Sequence, residues 1–296
     1  MRIGFFLVVS FFSSFAEAQI YGNEWISYNQ KYFSFPVVES GIHKIDYNTL
    51  LNAGVPTSSL SSSNFQIFGK ESEIPLFIED GGDETMDTGD FILFYAEGND
   101  GWLDSSLYDN ADWIGNPKYS LYNDTLHYFF TWNSSSSNSR FTEETGVDFE
   151  NYTADDFVVE ERFNYYYGSY NEGEKSADAS SSFYMPGEGW GSAPQNGSSG
   201  YTWNVNSLNF IGIYQGPNAP LIDYESVIVG RSNAVQSTPG GGNHHTRHTI
   251  GSSNYTLVDS VFTGYKSVFV NGSFPVDIIP TNGNANYKVN IVGDLN

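Results

Sequence analysis

Cysteine is absent from all 296 residues. In an exported chain, that absence removes disulfide cross-links, thiol nucleophiles and thiolate metal sites together. Basic residues are scarce, with 12 Lys and Arg against 35 Asp and Glu and a formal charge of −23. A chain so acidic repels phosphate backbones and anionic lipid headgroups, so nucleic acid and direct membrane insertion are both discounted. The plainest use of that charge is solubility outside the cell. Long apolar runs are missing except at the N-terminus. No G-x-S-x-G elbow, H-E-x-x-H helix or long-period repeat is present.

The exception is the first 18 residues. Arg2 gives a positive start, Ile3 to Phe15 an apolar core, and Ala16-Glu17-Ala18 an A-x-A cleavage site. This pattern predicts a secretory signal peptide over residues 1–18 and a mature chain from Gln19, held at the cell surface, at the outer membrane or outside the cell. No Cys follows the apolar core, so no lipid-anchored start is expected. The remainder is long enough for one large β domain or two ordinary ones. Without disulfides its stability must come from burial, and 23 Phe, 21 Tyr and 6 Trp supply the area.

The stretch Asp87-Thr-Gly-Asp-Phe-Ile-Leu-Phe-Tyr-Ala96 is the strongest strand signal. Turn formers bound it on both sides, and the run is apolar at consecutive positions. It therefore predicts a strand buried on both faces. Earlier strands are expected at Trp25 to Tyr28, Tyr32 to Val38, Ile42 to Ile45, Asn64 to Gly69 and Glu73 to Ile78. A short helix should start at Asp46, bury Leu50 and Leu51, and stop at Gly54. Leu126 to Trp132 is the next strand. A Ser-rich tract and an acidic stretch then place a boundary near residue 150, although Arg140-Phe141 also fits a return strand. Later strands are expected at Phe157 to Val159, Arg162 to Tyr167, Tyr201 to Val205, Leu208 to Ile213, Ser226 to Gly230, Ser260 to Phe262, Ser267 to Val270 and Tyr287 to Val292, with Asn271-Gly272 as a hairpin turn. The prediction is an all-β protein with little helix, made of two successive sandwich or jelly-roll-like domains over 19–150 and 151–296.

Two clusters bear metal-capable groups. Asp83, Asp87 and Asp90, with Asp80 and Glu84 nearby, are calcium candidates on a Gly-rich loop; their spacing is not that of an EF-hand, and plain turn chemistry competes. His244 and His248 in His244-His245-Thr246-Arg247-His248 are the other candidates, set against a polar loop running into a strand. No cofactor other than calcium is indicated, and no catalytic residue can be assigned. Aromatics near Tyr165 to Tyr167, Trp190 and Trp203 fit either sugar stacking or a sandwich core.

Three segments, in order and spacing, carry a family resemblance. They are Val38-Glu-Ser-Gly-Ile-His-Lys-Ile-Asp-Tyr47 with Leu50 to Gly54, then Phe65-Gln-Ile-Phe-Gly69, then Asp87 to Tyr95. Together they resemble the N-terminal β-rich region of exported proteins with a gingipain-type cysteine peptidase domain, most closely the type IX secretion sortases. Gly187-Glu188-Gly189-Trp190 loosely resembles a motif of that family's next β segment. The resemblance implies a non-catalytic β region, since the family's peptidase chemistry uses a His and a Cys. Its partners would be a peptidase domain outside this chain, or outer-membrane proteins of the secretion machinery. The alternative is a self-contained carbohydrate-binding or adhesive β-sandwich.

Overall fold

The computed structural model describes residues 22–134, 137–142, 144–146, 152–163, 166–174, 182–195, 201–233 and 243–292, with backbone only over 201–208. The fold is all-β, and its sheets are antiparallel. Among the described residues there is one short α-helix, and no helix is long and apolar enough to cross a membrane. Two compact units form. One takes the chain up to Glu97 together with 126–143; the other takes 98–125 with 144–296. The division differs from a single cut near residue 150, because an excursion between two strands of the first unit belongs to the second.

The first unit has strands β1 (Phe33–Val37), β2 (Gly41–Asp46), β3 (Phe65–Gly69), β4 (Ser72–Ile74), β5 (Leu76–Glu79), β6 (Phe91–Ala96) and β7 (Leu126–Trp132), and helix α1 (Tyr47–Asn52). The sheets run β1-β7-β3-β4 and β2-β6-β5 and share one core. Phe65, Ile67, Leu76, Ile92, Phe94, Tyr128 and Phe130 are its fully buried members. The edge-to-face pair of Phe35 from one sheet and Phe94 from the other joins the layers at 5.7 Å. The buried Tyr128 is not left with an orphan hydroxyl: it accepts from the Glu97 amide at 2.8 Å and donates to the Glu97 carbonyl. Gly69 is required where it stands, because a Cβ there would lie 2.0 Å from the Tyr128 ring.

Local chemistry explains the helix. The Asp46 carboxylate accepts from the Thr49 amide at 2.8 Å, which caps the first turn. Gly54, at φ +80°, ends the helix by returning its N–H to Leu51. Leu50 is buried, but Leu51 is 49% exposed, so a single turn and a half buries one leucine instead of the expected two. Trp25 to Tyr28 is a turn, not a strand; Trp25 instead lays its ring on Phe68 and Phe129. After the Ser-rich tract, Arg140 does return beside β5, with the Phe141 amide bonded to the Leu76 carbonyl.

The strand expected to be buried on both faces is the central strand β6. It buries Ile92, Phe94 and Ala96 on one side, while Tyr95 is 47% exposed on the other. Its neighbours there are Ile42, paired with Tyr95, and Phe77, paired with Leu93. Both are exposed as well. The second face is therefore apolar, and among the described residues Ile42, Phe77 and Tyr95 on it are exposed.

The second unit holds a sheet of four strands, β10 (Tyr201–Asn209), β15 (Asn284–Ile291), β12 (His244–Ile250) and β13 (Tyr255–Phe262), in that spatial order. It also holds a long ribbon, β11 (Ile222–Gly230) with β14 (Lys266–Phe274), and a short one, β8 (Ser169–Asn171) with β9 (Gly189–Gly191). Among its described side chains, Ile250, Phe274, Ile279 and Ala285 form an apolar cluster. Asn271-Gly272 is not the hairpin turn its sequence suggests. It lies inside β14, with Gly272 opposite Tyr224.

The two faces of β6 predict different costs. Ile92→Ala should lower unfolding free energy by about 3 kcal/mol in urea titrations, by removing a fully buried side chain. Tyr95→Ala should change it by less than about 1 kcal/mol, because the side chain is about half exposed.

Candidate functional site

The acidic loop joins β5 to β6. Its carboxylates satisfy backbone donors. Asp80 accepts from the Gly82 amide and the Ser62 hydroxyl. Asp83 accepts from the Thr85 amide at 2.8 Å, and Asp90 from the Asp87 amide at 2.7 Å. Gly81, Gly82 and Gly89 take positive φ, and the loop is fastened by the buried Met86. These are Asx-type turns. The structure brings Asp87 and Asp90 together through backbone, not through two carboxylates facing one point. Among the described residues no three His, Asp or Glu gather as a metal set.

The histidines lie on β12 itself, not in a loop before it. Side chains two and four apart share one strand face, so His244, Thr246 and His248 point the same way. Four residues of strand separate His244 from His248 by about 13 Å, too far for one cation to bridge. Each ring has its own neighbours. His244 stacks on Phe262 at 4.9 Å, and its Nε2 lies 3.1 Å from the Ser232 carbonyl. His245 faces the opposite side, where Asp259 binds both it and Arg247. Those two hydrogen bonds, to His245 first and then Arg247, hold the Asp259 carboxyl below its ordinary range.

His248 is the most distinctive group. It is only 2% exposed, and its Nδ1 lies 2.7 Å from the Tyr224 hydroxyl and 2.6 Å from that of Tyr287. The two hydroxyls are themselves 2.7 Å apart. Strands β11, β12 and β15 thus each send one side chain to a closed polar trio inside the sandwich. Burial lowers the His248 imidazole to about 4 and raises both phenols, so all three are neutral at pH 7. The histidine was visible in sequence. Its partners were not: Tyr224 precedes the apolar run at Ser226 that marks the strand, and Tyr287 was indistinguishable from other core tyrosines.

Gly187-Glu188-Gly189-Trp190 is a second polar hub. The Glu188 carboxylate accepts from the Tyr170 hydroxyl at 2.9 Å and the Met185 amide at 2.8 Å, while its carbonyl accepts from Tyr108. Trp190 donates to the Leu121 carbonyl and meets Tyr170 edge-on. Gly187, at φ +71°, also leaves no room for a Cβ, which would meet Val229 at 2.6 Å. Trp190 therefore fastens the 98–125 excursion to β9. Tyr167 is exposed and stacks on Tyr119 at 4.8 Å. Tyr165 and the side chain of Trp203 lie outside the described residues.

No family model matches this chain, and no curated protein matches it. Among solved structures, the crystal structure of dimeric latent PorU from Porphyromonas gingivalis overlaps it with a TM-score of 0.37 and 13% identity. The overlap covers 88% of this chain and 22% of that one, so this chain spans about a fifth of that protein's length.

The neutral trio makes stability depend on pH in a stated direction. The folded-state His248 titrates near 4, below the unfolded value of 6.5. As pH falls below 6.5 the unfolded chain takes up the proton first. Stability present above pH 6.5 is lost progressively down to about pH 4, by roughly 3 kcal/mol in total. His244, also lowered by burial, adds to the same slope. Urea unfolding of His248→Gln across pH 7 to 4 should show most of that slope gone.

Proposed function

We propose that this chain is a non-catalytic β region of an exported gingipain-type peptidase of the type IX secretion sortase kind, and that it docks a peptidase domain carried outside it. One observation carries the reading: the three resembling segments fold onto one another. Val38 to Gly54 supplies β2 and α1, Phe65 to Gly69 is β3, and Asp87 to Tyr95 supplies β6, all around the core of the first unit. The same segments leave Ile42 and Tyr95 exposed side by side on the open face of β2-β6-β5, with Phe77 adjoining. An apolar sheet face without a covering layer marks an interaction surface more often than a solvent surface. A chain without cysteine supplies no thiol nucleophile of its own.

A second reading, a carbohydrate-binding or adhesive sandwich, is supported by the exposed Tyr122 and the exposed Tyr167 stacked on Tyr119. A glycan array probed with calcium present separates it from the first.

The docking reading is tested by titrating the chain from Gln19 with the peptidase domain encoded with it and following heat of binding. A saturable complex is expected, weakened at least about tenfold by Tyr95→Glu, which buries an unpaired charge. Absence of a complex, or peptide hydrolysis by the chain alone, would contradict it.

A further inference from the structure

In the second unit Ile250, Phe274, Ile279 and Ala285 form an apolar cluster. A hollow of about 2710 Å³ adjoins it, lined by Ile250 and Phe274 of that cluster as well as by Tyr224, Val229, Val289 and Ile291. That is well above the size of a pocket for one drug-sized molecule. An occupant seated against this lining would gain dispersion contact with it.

The lining is graded from outside to inside. At the mouth, exposed apolar Val158, Val159, Ile211 and Leu221 stand among the charged Asp156, Glu160, Glu161 and Arg162. At the floor stand Tyr224, Thr246, His248 and Tyr287. Two floor atoms have no hydrogen-bond partner: Thr246 Oγ1 and His248 Nε2, on side chains 5% and 2% exposed. The Nδ1 contacts of His248 to two hydroxyls leave Nε2 as an orphan in either neutral tautomer. Such a group costs about 1–3 kcal/mol when buried alone. The neighbouring side chains close over both atoms, so a ligand reaches them by easing those side chains apart, as the loosely filled interior allows.

We propose that this hollow binds a neutral, mostly apolar molecule carrying one hydroxyl or carbonyl group, with its carbon skeleton along the apolar mouth and its polar group at Thr246 and His248. A hydroxyl or carbonyl supplies what both orphan atoms lack. A charged headgroup is excluded because the floor offers no counter-charge and burial of an unpaired ion is costly. The site lies wholly within the second unit and is independent of the docking face.

The test uses the whole chain from Gln19 with the neutral fluorophore N-phenylnaphthylamine as the probe. Saturable fluorescence is expected, displaced by dodecanol more effectively than by dodecane or dodecanoate. Thr246→Val should weaken displacement by dodecanol about fivefold, the loss of one hydrogen bond, and leave displacement by dodecane unchanged. His248→Phe is the companion variant, and far-UV circular dichroism checks that each is folded. Fluorescence that does not saturate overturns the proposal. So does equal displacement by dodecanol and dodecane, or displacement by dodecanoate as strong as by dodecanol.

Discussion

Each half of this chain must hold its sheets together by side-chain burial, because no covalent cross-link is available to it. The first unit meets that constraint with aromatic rings. Phe65, Phe94, Tyr128 and Phe130 are nearly solvent-free, and burying each contributes about 2–3 kcal/mol against the entropy of ordering the strands. The rest of that unit follows from the same core. Gly69 is bare because Tyr128 lies on it, and the Tyr128 hydroxyl fixes the end of β6. The acidic loop is anchored by one methionine so that its carboxylates can serve turns.

The second unit answers the same constraint differently. Among its described side chains the main apolar cluster has four buried residues with partly buried Phe210, Ile222 and Leu257 around them, and polar contacts supplement it. Glu188 ties β9 to Tyr108 and Tyr170, and His248 ties three strands together through two phenols. Such contacts specify one arrangement while adding little net energy, since each bond replaces one to water. A sandwich stabilised this way is pH-sensitive at its histidine.

What was legible in the sequence was local. Alternation marked most strands of the first unit, and Asp46 and Gly54 marked both ends of the helix. Pairing over long distances was not legible. Nothing around Asp100 to Thr125 says that this excursion joins the second unit, because its attachments run to Glu188 and Trp190 far along the chain. Asn271-Gly272 has a strong local preference for a hairpin, yet pairing with β11 carries the strand straight through it. The consecutive apolar residues of β6 mark its second face as apolar, yet Tyr95 on that face is exposed. Local pattern reports what a face is made of, not what lies against it. For the histidines, the period-2 rule places His244 and His248 on one face, but only the fold reveals that Tyr224 and Tyr287 enclose the second.

The proposed function requires a peptidase domain to sit on the exposed apolar face of β2-β6-β5. Hydrogen exchange of the backbone amides, measured with and without that domain, addresses it most directly. Added protection should concentrate in 41–46, 76–79 and 91–96, with little change over 222–292. Unchanged exchange in those three strands, or protection confined to the second unit, would contradict the account.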